Sequence, residues 1–466
     1  MKLLGLFIGI DRYESPAINW LTCASKDAMA LHALFSDNLT GQSKLLTDSL
    51  ATKAAIAASF NELASANEDD VVVIAFSGHG SSSHQIVAFD SDRDNLVETA
   101  ISLDDLTTWF SLIPAKRLIC ILDCCFSGGM GAKVLQVDNL SRDLDSVDNV
   151  LQQLSGEGRL IITASSATQP AWENQKIGHG FLTHYILEAL QGAEEVTENG
   201  KIKIYKLLEH VTKRVSSAAN QIGKEQTPTV RGKIDGDLSW PIFKPGPLFQ
   251  SVFPERKKTE VSADIYSLEA YGFPSEILRI WGESIPQFNQ LQIDAINEYR
   301  ILDGEHLFVS APTSSGKTMI GELAALRHSF ERRRSFFLFP LKALVSDKQR
   351  HFSKLYGGYG IKVIQATGDS TDDIPALMTG QYDICLMTYE KFTALALGNP
   401  HILEQAGLIV IDEIQMIADK SRGVNLEFVS TLLKMKRQYG IEPQLIALSA
   451  VIVQSHSCRQ LLLIRQ

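Results

Sequence analysis

Short apolar runs rich in Val, Ile and Leu punctuate the chain at residues 2–10, 71–76, 118–122 and 160–163. Runs of that length without polar alternation predict strands buried on both faces. Between them, residues 25–35 and 52–64 space their apolar positions at helical period, as do 181–191 and 204–219 further on. Strand and helix in alternation predict a parallel sheet covered by helices on both sides. Around residues 240–260 the texture breaks: Pro241, Pro245, Pro247 and Pro254 lead into Glu255-Arg256-Lys257-Lys258, which reads as a domain boundary. A second α/β pattern starts near Ala263, with buried strands predicted at 306–310, 336–339, 384–387, 408–411 and 445–448.

Composition narrows the class. At 466 residues, 45% hydrophobic and 21% charged, the chain is expected to form two or three folded units. A formal net charge of −10 argues against a general polyanion binder, so any nucleic-acid contact has to come from a local basic surface. Six cysteines without regular spacing predict reduced thiols and a cytoplasmic setting. The apolar start runs directly into Asp11 and Arg12, so it reads as a first strand. No apolar stretch approaches the roughly 20 residues of a membrane span.

The chemistry sits at the strand ends. Residues 71–76 run into Ser77-Gly78-His79-Gly80, and 118–122 into Asp123-Cys124-Cys125-Phe126-Ser127-Gly128-Gly129. Open α/β sheets place their sites just past the carboxyl ends of parallel strands. An imidazole beside a thiol raises the thiolate population and returns a proton to a leaving amine. The amides of Gly80 and Cys125 are positioned to donate to an oxyanion. Either piece alone also fits a structural histidine or an inert core thiol. The pair, in this order and about 46 residues apart, fits a cysteine peptidase.

These two motifs resemble the metacaspase and bacterial caspase-like family over roughly residues 1–245. The segments 21–31, 164–173 and 178–190 agree with it as well. The resemblance implies Cys125 as nucleophile, Cys124 being the alternative, and His79 as base. It also implies that Asp27 and Asp123 line the S1 pocket. Two acids there favour a basic residue before the scissile bond, so a protein or peptide substrate cut after Arg or Lys is expected. Asp123 is alternatively a strand-end cap. Because the family often needs calcium, Asp90, Asp104 and Asp105, with Asp92 and Asp94, are candidate Ca²⁺ ligands; a solvated acidic loop is the other reading.

In the second half, the strand at 306–310 enters Ala311-Pro312-Thr313-Ser314-Ser315-Gly316-Lys317-Thr318, the strand–loop–helix setting of a phosphate-binding loop. Lys317 is placed for the β/γ-phosphates and Thr318 for Mg²⁺. Asp412 and Glu413 end the strand at 408–411, giving a metal-binding and a water-orienting carboxylate. This set resembles the Ski2-like group of superfamily 2 (DEAD/DEAH-box) helicases over about residues 265–452. The resemblance implies that Gln292 reads adenine, that Thr313, Ser314, Ser315 and Gly316 complete the ATP site, and that Pro340 and Lys342 contact single-stranded DNA or RNA. It also assigns 388–391 to a further such element and Ser449-Ala450-Val451 to the coupling motif. Gln415 stands where the group has His, which puts coupling of hydrolysis to motion in question. Arg332, Arg333 and Arg334, with Lys348 and Arg350, form a candidate strand contact or a solvated face.

The expected architecture is α/β throughout. A caspase-like sandwich of helices on a parallel sheet spans 1–245, a linker 246–264, a RecA-like P-loop domain 265–452 and an aberrant tail 453–466. Family members carry a second RecA-like domain; the tail reads as a truncation or frameshift, so weak ATP binding and no unwinding are expected. The expected function is a cysteine endopeptidase joined to a helicase motor half that lets nucleic acid govern proteolysis. The alternative is a nucleic-acid-dependent ATPase with a non-catalytic caspase-like module.

Overall fold

The structure, a computed structural model, describes residues 2–81, 84–125, 134–135, 158–166, 169–174, 177–234, 238–253, 260–285, 287–419, 422–437 and 439–450. The expected tail at 453–466 lies outside them. The chain divides into two compact units, Met1–Glu255 and Arg256–Gln466.

The first unit is built on six strands: β1 (Leu3–Gly9), β2 (Gly41–Thr47), β3 (Val71–Ser77), β4 (Arg117–Asp123), β5 (Arg159–Thr163) and β6 (Thr229–Lys233). Their order across the sheet is β6-β5-β4-β3-β1-β2. Alternate residues of each strand enter opposite cores, as the two-residue period requires. Val71, Val73, Ile119 and Ile121 pack toward α1 (Ala24–Asn38), α4 (Phe181–Leu190) and α5 (Ile204–Gln221). Val72, Ile74, Leu118 and Cys120 pack toward α2 (Lys53–Leu63) and α3 (Leu103–Ser111).

Five strands are parallel, and β6 pairs antiparallel with β5. This corrects the all-parallel expectation. Two helices, α4 and α5, separate β5 from β6, and Thr229 at the start of β6 pairs with Thr163 at the end of β5. The edge strands β2 and β6 hold Gln42, Ser43, Lys44, Arg231 and Lys233, too few apolar positions to stand out from sequence.

The second unit has six parallel strands: β7 (Leu307–Ser310), β8 (Arg334–Phe339), β9 (Val363–Ala366), β10 (Ile384–Thr388), β11 (Ala406–Ile411) and β12 (Gln444–Ser449). Their order is β7-β12-β11-β8-β10-β9, all neighbours parallel. One face is covered by α6 (Gln290–Asn297), α7 (Lys317–Phe330) and α8 (Lys342–Tyr356), the other by α9 (Tyr389–Gly398) and α10 (Gly423–Arg437).

Between α7 and α8 lies a buried polar chain. Trp281 Nε1 donates to the Tyr356 hydroxyl at 3.2 Å, which donates to Glu322 Oε2 at 2.6 Å. Burial raises the Glu322 carboxyl above its ordinary value despite that bond. A raised acid binds its proton more tightly in the native than in the unfolded state, so its contribution is fullest at low pH and is lost as pH climbs through the raised value. Melting of the second unit is therefore expected to drop as pH rises from the ordinary carboxylate range. Glu322→Gln should flatten that dependence, by about 2–4 °C at neutral pH; parallel melting curves for the two proteins would contradict it.

Candidate functional site

Strands β3 and β4 are adjacent, parallel and in matched register, Ser77 facing Asp123. Two residues further on, His79 and Cys125 leave neighbouring strand tips side by side. The backbones touch there: a methyl group on Gly80 would collide with the Cys125 carbonyl oxygen, so glycine is the residue this approach tolerates. Cys125 joins the core on the α1 side of the sheet and Cys124 the core on the other side.

His79 Nε2 lies 2.7 Å from the backbone carbonyl of Asn19. A carbonyl only accepts, so Nε2 carries the proton and Nδ1 is left as the basic nitrogen. The Cys125 thiol donates to the carbonyl of Gln169 at 3.0 Å, and Ser165 Oγ is 3.9 Å from its sulfur. Neither His79 nor Cys125 has exposed surface. The segment that seals the thiol is tied down by its own bonds. Thr227 N–H donates to Gln169 Oε1 at 2.8 Å and Trp172 N–H to Gln226 Oε1 at 3.0 Å.

The two acids are buried and engaged. Asp27 sits in the first turn of α1, whose N–H groups are met by two carboxylates. Asp11 accepts from Ala24 and Ser25 at 2.7 and 3.2 Å, and Glu173 from Thr22 and Cys23 at 3.0 Å each. Asp27 itself accepts from Ser77 Oγ (2.9 Å), His179 Nδ1 (2.8 Å) and the Gly180 amide. Asp123 accepts from Thr183 Oγ1 at 2.8 Å. Ser77 thus joins the acid pair, bonded to one member and in register with the other. The acidic-loop residues do not converge. Asp90 accepts from Lys53 N–H, Asp92 from Asp94 N–H, and Asp105 forms a capping box with Ser102, while Asp104 lies exposed on α3. Among the described residues no three His, Cys, Asp or Glu side chains are gathered to hold a metal ion. In the candidate Ca²⁺ set, Asp90 and Asp105 each give one carboxylate oxygen to a backbone N–H, from Lys53 and Ser102.

In the second unit, β7 enters the loop 311–316 and α7 begins at Lys317, with Gly316 in the left-handed region. A side chain at Gly316 would press within 2.6 Å of Gln292 Nε2. Gln292 holds the loop from below: Nε2 donates to the Gly316 carbonyl at 3.3 Å, and its other amide atom caps α6 through Asn289, which in turn donates to the Ser315 carbonyl. Lys317 Nζ curls onto the carbonyls of Ala311 and Pro312, each 3.4 Å away, and Ser315 Oγ is buried with no hydrogen-bond partner among the described residues. Thr313 and Ser314 are exposed on the loop. The residues present fit a phosphate: Lys317 and Ser315 would turn to it, and Thr318 and Asp412 would hold its Mg²⁺. Burial, then the neighbouring Glu413, raise the Asp412 carboxyl, while Lys317 pulls it back.

The remaining motifs meet around Glu413, which sits in the left-handed region. Gln415 Nε2 donates to Glu413 Oε2, and Gln415 Oε1 accepts from Ser449 Oγ at 2.9 Å. The Gln in place of His therefore still spans the acidic box and the end of β12. Tyr389 donates its hydroxyl to the Asp412 carbonyl. Pro340 is buried, and Lys342 is exposed and paired with Asp369 at 2.5 Å. The arginine triplet is elsewhere. Arg334 opens β8, so the triplet lies at the amino ends of the parallel strands, whereas the loop 311–316 follows a carboxyl end. Arg334 is buried, donating to the Gly380 carbonyl at 2.8 Å, and Arg333 pairs with Glu331. The strand-contact expectation is corrected for Arg334, whose guanidinium is buried against Gly380. Asn19 and Gln169 were given no role from the sequence, because they act through backbone carbonyls, which every residue owns; Ser77 was visible only as the first residue of its motif.

Comparison with known proteins divides the chain at the same place. The family model described as Caspase domain matches residues 2–238, and that described as DEAD/DEAH box helicase matches 289–457. Over 187 residues the chain is 34% identical to the ATP-dependent DNA helicase Hel308 of Methanococcus vannielii, covering 38% of this chain and 24% of that protein. It is 38% identical over 180 residues to the Hel308 of Pyrococcus abyssi, covering 38% and 23%. The crystal structure of the DUF1998 helicase MrfA aligns at 24% identity and a TM-score of 0.36, covering 40% of this chain and 31% of that one. The chain spans about a quarter of the length of these curated relatives.

Proposed function

This chain belongs to the caspase-domain family, whose model takes in residues 2–238 of 466, and from that premise we propose that its first unit is a cysteine endopeptidase cleaving after Arg or Lys. The observation that carries the reading is the matched register of β3 and β4, which sets His79 beside Cys125. With Nε2 held by Asn19, His79 Nδ1 takes the thiol proton; the Cys125 sulfur attacks the peptide carbonyl; and the imidazolium returns the proton to the leaving amine. The Gly80 and Cys125 amides donate to the oxyanion. Asp27 and Asp123 supply the negative wall that selects a basic side chain. For substrate to enter, the Gln169 carbonyl has to leave the thiol.

The second unit is helicase-like, and we assign it ATP and single-stranded nucleic acid as ligands. Thr313, Ser314, Ser315, Gly316, Lys317 and Thr318 hold the phosphates and Mg²⁺, Gln292 supports the loop and faces the base, Asp412 and Glu413 handle metal and water, and Pro340 and Lys342 meet the strand. Bound Mg²⁺ supplies charge neutralisation at the phosphates.

A second reading has its own support: His79 and Cys125 are fully buried and bonded to backbone carbonyls, as in a module that binds and does not cleave. Fluorogenic peptides with Arg, Lys or Asp at P1 separate the two. Arg or Lys is expected to be cut at least about tenfold faster than Asp. Faster cleavage of the Asp peptide would overturn the pocket assignment, and no cleavage of any would favour the binding module.

A further inference from the structure

The linker between β1 and α1, residues 10–23, grips His79 at two places. One is the Asn19 carbonyl on Nε2. The other is Tyr13, which is buried; its hydroxyl oxygen accepts from the His79 backbone N–H at 2.8 Å, and its ring lies 5.2 Å from the imidazole, tilted by 40°. The linker is itself held against the body of the unit. Asp48 Oδ1 accepts from the N–H groups of Asp11 and Arg12 at 2.9 and 3.1 Å. The Glu14 N–H donates to the Phe89 carbonyl at 3.0 Å; within the linker, Arg12 lies over the Trp20 ring at 4.6 Å.

We propose that Tyr13 is the positioning residue of the catalytic histidine: its hydroxyl fixes the backbone that carries His79, and its ring fixes the plane of the imidazole. The assignment rests on the peptidase reading. Past the end of β3 the chain leaves the ladder, so the His79 amide no longer finds a strand partner and takes the phenol oxygen instead. The preceding position is constrained too: a methyl on Gly78 would come within 2.8 Å of the Phe76 ring and 3.1 Å of the same hydroxyl. Burial, with Asp11, Asp48 and Cys124 nearby, raises the Tyr13 phenol well above its ordinary value, so at working pH it stays a neutral acceptor. A small rotation of His79 moves Nδ1 relative to the Cys125 sulfur, and proton transfer is steeply sensitive to such misplacement.

Tyr13→Phe in the full chain keeps the ring and removes the acceptor. The expected result is a kcat about tenfold to a hundredfold lower with KM unchanged, and alkylation of Cys125 by iodoacetamide slowed to a similar degree, while the melting temperature stays within a few degrees. A kcat within twofold of the parent, or a loss confined to KM, overturns the assignment. Should Tyr13→Phe fail to fold, Gly78→Ala pushes on the same hydroxyl and is expected to show the same split. If the parent chain cuts no peptide, the peptidase reading falls by itself, and the alkylation rates still decide Tyr13: equal rates in parent and variant sink it.

Discussion

Cys125→Ala is expected to reduce hydrolysis of Arg-P1 peptides by about a thousandfold or more, whereas Cys124→Ala retains activity within about tenfold. Sequence alone leaves the two sulfurs neighbours in one motif; the sheet separates them. Residues alternate sides along β4 and just beyond it, so Cys125 enters the core shared with α1 and Cys124 the core behind the sheet. Only the first shares its face with Ser77 and Asp123, and with the Gln169 carbonyl that receives its thiol proton. Loss of Cys124 removes a small buried apolar side chain, a packing effect of about 1 kcal/mol. Mass spectrometry after iodoacetamide gives the companion measurement. Cys125 is expected to react slowly while the 169–174 segment covers it, and faster in Gln226→Ala, which removes the bond holding Trp172. Equal activity loss in the two cysteine variants would mean that the fold, not the nucleophile, is being read.

Lys317→Ala is expected to weaken Mg·ATP binding to the second unit by about tenfold to a hundredfold, the worth of a charge-assisted contact to phosphate. Its Nζ makes only long contacts to the loop carbonyls, 3.4 Å each, so the chain gives up little of its own stability when the amine goes. The change is electrostatic in a second way. Lys317 counters the upward push on the Asp412 carboxyl, and without it that acid is raised further. Asp412 is then a poorer metal ligand at the acid end of the pH range, since more of it is protonated there. Nucleotide-induced thermal shifts at several Mg²⁺ concentrations and pH values measure both effects. A variant that binds Mg·ATP as tightly as the parent would remove the phosphate role from Lys317.

Joining a caspase domain to a helicase-like unit in one chain poses the question of what each does for the other. The chain divides into two compact units, and substrate tells them apart in an assay: peptide for one, nucleotide for the other. Nucleic acid added to the peptide assay is the direct measure of communication.

The chain's own pattern determined the alternation of strand and helix, the change of texture around residues 240–260, the strand tips past which His79, Cys125 and Asp412 stand, and the loop-to-helix setting of Lys317. These follow from apolar periodicity and glycine-rich ends, which are local properties of the sequence. Tertiary structure alone decided which acids are already bonded, that Asp105 caps a helix while Asp104 lies exposed, and that Arg334 is buried against Gly380. It alone decided that Gln415 bridges Glu413 and Ser449. A hydrogen bond between groups more than thirty residues apart leaves no periodic trace, and a backbone carbonyl such as that of Asn19 or Gln169 leaves none at all, because it belongs to every residue alike.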